Sequence, residues 1–285
     1  LSNFVDGMLN NLDNFGFIHP EYMQCTTATG RLSSRNPNFQ NMPRGSTFVI
    51  RKVVESRWDN GWIIEGDYSQ LEFRVAGFLA GDTQVYDDVR AGTDVHNYTA
   101  SIIGCNRQEA KAHTFKPLYG GVTGTDAQKR YYNAFKDKYS RITEWQEELQ
   151  REAVENKLIS LPSGRQYHFP GTTWTRWGTA TNRTAICNYP VQGFATADLL
   201  PCALIFLHKA LRQKNMETVI CNTVHDSIVL DAPQDEEADA IDILEEALLS
   251  VKDEIRQRYA VEFDMPIDIE IKKGRNWLDT EVVNL

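Results

Sequence analysis

The pattern of hydrophobic side chains predicts two strands in the first quarter of the chain. Residues 47–54 are rich in β-branched side chains, and the turn signal Asp59-Asn60-Gly61 separates them from the apolar run Trp62-Ile63-Ile64. This arrangement predicts two strands, the second of which ends at Asp67. The pattern therefore places a carboxylate at a strand end.

Helical spacing dominates the middle of the chain, from Asp94 to Ile159. Trp145, Leu149 and Ala153 stand four residues apart there, as on one face of a helix. This stretch predicts a helical insertion, after which helix resumes near Gly193.

The last third of the chain mixes strands and helices. Residues 218–231 predict a strand, a tight turn and a second strand, with His225 and Asp226 at the tip. One apolar helical stripe and a final alternating strand follow, at Ile241, Leu244, Leu248, Val251, Ile255 and Tyr259, and at Ile267, Ile269 and Ile271. The order of elements predicts an α+β fold in which a sheet with packed helices is interrupted by a helical subdomain.

Composition narrows the class of protein. With 285 residues, 41% of them hydrophobic and 24% charged, the chain resembles a soluble globular protein. It has neither an uncharged apolar run of about 18 residues nor a signal peptide, so we expect no membrane partner and a cytoplasmic location, with an organelle as an open alternative. Its five cysteines form no C-x-x-C pair, which argues against a zinc knuckle or a disulfide framework.

The net charge of −9 argues at first against nucleic acid, since phosphate contacts need Lys and Arg. The acids cluster in residues 235–246, however, on the acidic late helix. That helix could face away from a ligand, so the total charge does not decide the question.

Asp67 and Asp226 are the candidate catalytic acids. Two-metal phosphoryl transfer needs rigid carboxylates that hold ions about 3.5–4 Å apart. A lone turn aspartate is more often a solvated side chain, so the neighbouring residues must decide between these interpretations.

Those neighbours resemble the two catalytic motifs of family A DNA polymerases. Gly66-Asp67-Tyr68-Ser69-Gln70-Leu71-Glu72-Phe73-Arg74 resembles the first motif, and Thr223-Val224-His225-Asp226-Ser227 resembles the second. The resemblance implies that Asp67, Asp226 and the backbone of Tyr68 bind two Mg²⁺ ions, for which Mn²⁺ can substitute. Ser227 stands where the family often has Glu, so a third carboxylate is missing at that position.

Glu72 admits two interpretations. Ser69-x-x-Glu72 has the form of a capping box that opens a helix. In the resembled family the matching glutamate excludes ribonucleotides, and Gln70 belongs to the same nucleotide site. The two roles of Glu72 can coexist.

Arg107, Lys111, Phe115 and Tyr119 stand four residues apart and precede Gly120. On a continuous helix they form one slowly turning stripe about 18 Å long. Such a stripe also suits a surface helix with buried rings, but a triphosphate explains the two cations and the two rings together.

The same stripe has the R-x-x-x-K-x-x-x-F-x-x-x-Y-G pattern of the family's fingers helix. The resemblance assigns Arg107 and the catalytic Lys111 to the triphosphate, Phe115 to the sugar and Tyr119 to the templating position. Phe115 then predicts discrimination against dideoxynucleotides. Pro117 lacks a backbone donor and predicts a kink in this helix.

Other segments match the family's nucleotide and DNA contacts. Asp94-Val95-His96 has the form of the family's D-x-H element, which implies that His96 contacts the incoming phosphates. The polar stretch 27–43 and the segment Asn188-Tyr189-Pro190-Val191-Gln192-Gly193 match primer-template contacts. The DNA-binding residues implied are Arg31, Asn38, Gln40, Asn41, Asn188, Gln192 and His225. Arg183 stands one position earlier than the family's usual arginine, and we leave it outside the site.

The resemblance extends from about Thr26 to Trp277. It implies a right-hand polymerase with an N-terminal palm part at 1–75, fingers at 76–180 and a C-terminal palm part at 181–285. The implied partners are primer-template DNA, dNTPs, and a thumb with a possible exonuclease upstream, without which we expect weak binding of DNA. The implied reaction is attack of the primer 3′-hydroxyl on a dNTP with release of pyrophosphate.

The sequence leaves three rival functions open. A single-subunit RNA polymerase shares the paired aspartates and the fingers lysine, although Glu72 and the Arg31 segment count against it. A non-catalytic primer-template binding module would not need Asp67, Asp226 and Lys111 together. A metal nuclease uses paired acids but has no need of the cationic stripe.

Overall fold

The computed structural model describes residues 2–43, 49–121 and 123–284. It divides into two compact units. We call residues 1–69, 196–257 and 267–285 the sheet unit, and residues 70–195 and 258–266 the helical unit. The subdomain boundaries at 75/76 and 180/181, and the names palm and fingers, stay predictions.

The elements, in chain order, have the following bounds. The helices are α1 Ser2–Leu9, α2 Leu71–Ala80, α3 Thr83–Arg90, α4 Val95–Ile103, α5 Arg107–Thr114, α6 Asp126–Lys138, α7 Ser140–Glu155, α8 Arg183–Gly193, α9 Leu200–Gln213, α10 Glu237–Leu249 and α11 Val251–Tyr259. The strands are β1 Glu21–Met23, β2 Ser33–Arg35, β3 Trp62–Tyr68, β4 Leu158–Ser160, β5 Gln166–His168, β6 Val219–Val224, β7 Ser227–Ala232, β8 Ile269–Gly274 and β9 Thr280–Val282.

A five-stranded antiparallel sheet forms the centre of the sheet unit, in the order β6-β7-β3-β8-β9. Strand β3 is hydrogen-bonded on both sides, and Asp67 lies opposite Ser227 of β7 and Glu270 of β8. The predicted α+β class, with an antiparallel sheet and packed helices, is confirmed.

The two faces of β3 have different neighbours because successive side chains of a strand point to opposite sides. On one face Gly66 lies against α10 so closely that a Cβ there would be 2.7 Å from Leu248 Cδ1. The Tyr68 hydroxyl donates to the Leu248 carbonyl on that face over 2.9 Å. On the other face Ile63 joins a buried cluster with Trp277. The acidic side chains of β3 share this second face.

The predicted strand at 47–54 is wrong for the part that the structure describes. Val49–Val53 is a 3₁₀ turn, and residues 47 and 48 lie outside the described residues. Both edges of β3 are already paired with β7 and β8, so no further strand can bind beside it. Arg51 is instead buried, with its guanidinium 3.8 Å from the centre of the Trp277 ring.

The predictions for the later elements are largely confirmed. The strand, turn and strand at 218–231 are β6 and β7. The predicted last strand is β8, which begins at Ile269 rather than Ile267 and is followed by β9. The apolar stripe of the acidic helix continues over α10 and α11 and is buried from Ile241 to Ile255, but Tyr259 at its end is 39% exposed. Helix resumes at Arg183 rather than near Gly193.

Aromatic rings fill the core of the helical unit. Tyr131, Phe135 and Tyr139 are almost fully buried, and Phe135 and Tyr139 have ring centres 4.7 Å apart. The buried Asp82 carboxylate caps α3 and also accepts the Ile142 backbone N–H over 3.1 Å. The predicted helical insertion is confirmed over most of 94–159, although its last residues, 158–159, already belong to β4.

Among the described residues, one helix has the length and apolar composition to cross a membrane. It is the continuous helical stretch Arg183–Gln213. Inside the protein, 72% of its most apolar 18-residue window is buried. A mostly buried core helix of a soluble protein meets the same criteria, so this stretch is weak evidence for a membrane span.

Candidate active site

The two candidate acids lie at adjoining strand ends in the sheet unit. Asp67 is the last residue of β3 paired with β7, opposite Ser227, and Asp226 immediately precedes Ser227 in the turn from β6. The Tyr68 backbone N–H donates to the Asp226 carbonyl over 3.4 Å. His225 has a φ of 57°, which helps the chain reverse in two residues. The fold thus fixes both aspartates through backbone hydrogen bonds.

The donors at this edge of the sheet fit magnesium. Asp67 and Asp226 supply hard carboxylate oxygens, and the backbone carbonyl of Tyr68 is of the same kind. No group of three or more His, Cys, Asp or Glu suited to a metal is found in the described ranges. Magnesium is commonly bound by only one or two carboxylates together with substrate phosphates, so a pair of aspartates suffices.

Glu65 is an acid at this edge that sequence reasoning missed. It lies two residues before Asp67 and therefore on the same face of β3. The Ser227 hydroxyl donates to Glu65 Oε1, and Trp277 Nε1 donates to Oε2, both over 3.1 Å. The carboxylate absent at position 227 thus has a counterpart on the neighbouring strand. The alternation of Ile63, Glu65 and Asp67 was the available signal.

Several predicted DNA-binding residues gather beside the β6–β7 turn. Arg31, Gln40 and His225 line one cavity with Thr223, and Gln40, Asn41 and His225 line a second. Gln40 Nε2 donates to the Thr223 carbonyl over 3.0 Å. These residues therefore form one polar surface next to Asp226.

Asn38 has a structural role in the same surface. Its side-chain oxygen accepts the Gln40 backbone N–H over 3.1 Å and caps the 3₁₀ turn Phe39–Asn41. Cap residues of this kind fix the direction of the chain. Asn38 thereby positions Gln40 and Asn41.

The cationic stripe of the helical unit is not one kinked helix, and that prediction is wrong. Helix α5 carries Arg107 and Lys111 but ends at Thr114, and Phe115 is its C-cap. A separate 3₁₀ turn, Lys116–Tyr119, follows. Proline disfavours helical geometry in the residue before it and cannot donate a backbone bond, so Pro117 ends the α-helix and starts the turn.

A buried glutamine holds this 3₁₀ turn. Gln146 of α7 is 3% exposed, and its Nε2 donates to the carbonyls of Pro117 and Leu118 over 3.0 and 2.8 Å. Tyr119 comes next in the chain. Its placement is therefore set by α7 as well as by the α5 sequence.

The predicted phosphate contacts come together around His96. Arg107 Nε donates to Asp94 Oδ2 over 2.7 Å, and the rings of His96 and Phe115 are 5.3 Å apart. Burial, followed by the positive charges of Arg107 and Lys111, lowers the pKa of His96 and outweighs the opposing charge of Asp94. His96 is therefore neutral at neutral pH, and both cations are exposed.

Asp94 organises that group. It caps α4 by accepting the backbone N–H groups of His96 and Asn97 over 2.9 and 3.0 Å. Partial burial raises the pKa of Asp94, but the Arg107 guanidinium and the two backbone donors outweigh it and hold that pKa below its ordinary value. Asp94 thus stays ionised and orients Arg107.

Glu72 and Tyr119 are joined directly, since the Tyr119 hydroxyl donates to a Glu72 carboxylate oxygen. The capping-box interpretation is not supported, because α2 begins at Leu71 and its N-cap is Gln70 rather than Ser69. Gln70 has a φ of 55° and makes no side-chain capping bond. The tight turn from β3 into α2 thus replaces a capping box.

Helix α8 carries the remaining predicted contacts. Asn188 and Gln192 are four residues apart and share one face, and Asn188 Oδ1 is buried without a hydrogen-bond partner among the described residues. An unsatisfied buried oxygen is rare and suggests a ligand donor. The motif spacing placed Arg183 outside the site. In the structure it packs against Gly120, where an added Cβ would lie 3.1 Å from Arg183 Nε.

This chain combines an antiparallel sheet, two aspartates at adjoining strand ends and cations beside a buried histidine. That combination is typical of template-dependent nucleic-acid polymerases. The chain belongs to DNA polymerase family A, whose model matches residues 1–279.

Known proteins give the same family. DNA polymerase I of Lactococcus lactis subsp. lactis is 32% identical over 98% of this chain, and a thermostable DNA polymerase I of Thermus filiformis is 31% identical over 93%. The POL domain of Pol1 from M. smegmatis, solved with DNA primer-template and dNTP, superposes with a TM-score of 0.78 at 25% identity and covers 96% of this chain. This chain spans 33% of the length of those two curated relatives and 50% of the solved chain.

Proposed function

We propose that this chain carries the polymerising centre of a DNA polymerase, which adds dNTPs to a primer 3′-hydroxyl on a DNA template. The observation that carries the proposal is the fixed pair Asp67 and Asp226 at adjoining ends of the central strands. Membership of DNA polymerase family A supports it. The solved relative with primer-template and dNTP supports these as substrates.

In this proposal the sheet unit supplies the metal-binding edge. Asp67, Asp226 and the Tyr68 carbonyl would hold two Mg²⁺ ions, which activate the attacking hydroxyl and stabilise charge on the leaving pyrophosphate. Because backbone pairing fixes both aspartates, they need no rearrangement as the reaction proceeds. Ser227 and Trp277 orient Glu65, which adds negative charge to the same face.

The helical unit supplies the proposed triphosphate contacts. Arg107 and Lys111 are exposed cations beside the neutral His96, and both suit developing phosphate charge. Phe115, packed against His96, meets the sugar. Glu72, held by Tyr119, excludes a 2′-hydroxyl, and Gln70 belongs to the same nucleotide site.

The proposed duplex contacts form two groups. Arg31, Gln40, Asn41 and His225 form the polar surface of the sheet unit, and Asn38 holds it in place. Asn188 and Gln192 supply contacts from α8. Minor-groove acceptors are common to all base pairs, so such contacts check pair geometry without reading sequence.

The bacterial relatives support a cytoplasmic location, in a bacterium or in the host of a phage. The remaining length of those relatives supports further polymerase segments, including a thumb and an exonuclease, as partners of this chain. We expect Mn²⁺ to replace Mg²⁺.

Primer extension on primed DNA with Mg²⁺ and dNTPs tests this function. We expect the wild-type chain, at saturating primer-template, to lengthen the primer and the Asp226→Asn variant to fail. Shortened primers would indicate a nuclease instead, and equal use of rNTPs would indicate an RNA polymerase. Binding of primer-template without any extension would leave only a binding module.

A further inference from the structure

A cationic segment interrupts this acidic chain after α7 and continues past the end of α8. The chain has a net charge of −9, yet residues 156–197 contain neither Asp nor Glu. The cations of this segment are Lys157, Arg165, Arg176 and Arg183. A local excess of one charge in a chain of opposite sign is typical of a surface that binds a charged partner.

Residues 171–182, which we call the tryptophan loop, present two large rings to solvent. Trp177 is 76% exposed and Trp174 is 45% exposed. The Arg176 guanidinium lies 4.5 Å from the centre of the Trp177 ring. An exposed aromatic ring beside an exposed arginine offers a stacking surface and a phosphate contact together.

Backbone hydrogen bonds hold the tryptophan loop in a defined conformation. Trp174 and Ala180 form a β-bridge, and the Thr175 N–H donates to the Thr179 carbonyl over 2.8 Å. Gly178 closes the tip with a φ of 73°, a conformation that suits glycine. The rings are therefore presented by a small hairpin.

The base of the loop is anchored to the rest of the helical unit. Lys157 Nζ donates to the Thr172 carbonyl over 2.6 Å, and the Ala180 N–H donates to Gln150 Oε1 over 3.1 Å. Thr172 is fully buried. An anchored loop loses little conformational entropy when a ligand binds it.

A cavity of about 360 Å³ lies at the foot of the loop, within the range of ligand pockets. Arg151, Trp174 and Arg183 are among the described residues that line it, and Glu147 is the one acid in that set. The cavity offers the Trp174 ring and two cations, Arg151 and Arg183. The loop and the cavity together can follow several nucleotides.

We propose that the tryptophan loop binds single-stranded DNA, with bases stacked on Trp177 and Trp174 and a phosphate at Arg176. The inference rests on the proposed function, which supplies a single-stranded template ahead of the primer end. Aromatic rings favour unpaired bases, because bases inside a duplex are already stacked on both faces. A duplex would use the cations alone.

The test compares binding of two labelled DNAs by fluorescence anisotropy, a primer-template with a 5′ template overhang and the same duplex with blunt ends. Trp177→Ala weakens binding of the overhanging DNA by about fivefold or more, the effect of losing one stacked base. It leaves binding of the blunt duplex unchanged. Trp177→Phe keeps a ring and retains most of the affinity.

Two further variants sharpen the test. Arg176→Gln lowers the slope of log affinity against log salt by about 0.7 if it removes one phosphate contact to a single strand. Trp58→Ala is the matched control, because Trp58 also lies beside an arginine, Arg57, whose charge is compensated by Asp231. We expect no overhang-specific change for Trp58→Ala.

Equal loss of affinity on both DNAs, or no loss for Trp177→Ala, overturns the inference. Primer extension on the same DNA separates it from the proposed function. A wild-type chain that fails to extend, while Trp177 still governs binding of the overhang, refutes the polymerase but not the loop. Normal extension without any Trp177 effect refutes the loop alone.

Discussion

The acidic strand ends of the sheet unit and the cationic stripe of the helical unit are held in place in different ways. Asp67 and Asp226 follow from strand pairing, so the backbone register alone places them. Arg107, Lys111 and Tyr119 lie on two short helices and depend on side chains such as Asp94 and Gln146. Positions set by backbone pairing change little when a single side chain is replaced, whereas positions that depend on side-chain hydrogen bonds can be shifted by one substitution.

The largest effect is expected from removing a charge at the rigid edge. Asp67→Asn should lower the rate of primer extension by about a thousandfold or more, because several kcal/mol of charge stabilisation is lost. Stability should change little, as measured by thermal unfolding. Asp231→Asn on β7 is the control, since Asp231 is buried and paired with Arg57, and it should lower Tm with far less effect on rate. Equal rates for both variants would contradict the assignment.

The next largest effect concerns the cationic stripe. Lys111→Ala should slow single-turnover extension by about a hundredfold, because one preorganised positive charge is lost from the transition state. Lys129→Ala, a surface lysine of the same unit with a side chain 55% exposed, should extend normally. A Lys111→Ala change confined to KM would place the lysine in ground-state binding only.

A double-mutant cycle examines the Glu65–Ser227 pair. Ser227→Glu alone places a second carboxylate against Glu65 in a fully buried position, and we expect it to destabilise the fold by about 3 kcal/mol. Combining it with Glu65→Ser moves the carboxylate from β3 to β7. We expect the double variant to recover the Tm and the extension rate of the wild type. Urea unfolding gives the coupling energy. Additive effects would mean that the pair acts independently.

The smallest effect tests the support of the 3₁₀ turn. Gln146→Leu leaves the carbonyls of Pro117 and Leu118 without their donor and should cost about 2 kcal/mol by urea unfolding. KM for dNTPs should rise more than kcat falls, because Tyr119 shifts. Gln84→Leu serves as the comparison, since Gln84 is an exposed residue of α3 that donates to Asp88, and it should leave KM unchanged. The same KM for both variants would make Gln146 purely structural.

Sequence motifs predicted much of the site because they are local. The hairpin that carries Asp226, the strand that ends near Asp67 and the helical stretch around Arg107 and Lys111 were all visible as local patterns. The 3₁₀ turn at Val49–Val53 was not, because β-branched composition favours a strand wherever a free edge exists. The sheet has no such edge beside β3.

What the sequence alone determined is the set of chemical groups and the local elements that carry them. The tertiary structure decided which of these groups meet. Strand alternation puts Glu65 on the same face as Asp67, but only the pairing of β3 with β7 and the course of the chain after β8 bring Ser227 and Trp277 to its carboxylate. Glu72 meets Tyr119, rather than capping its own helix, because residues 47 positions apart are brought together by folding. Periodicity describes neighbours along the chain, and contacts between distant residues depend on packing that no local pattern specifies.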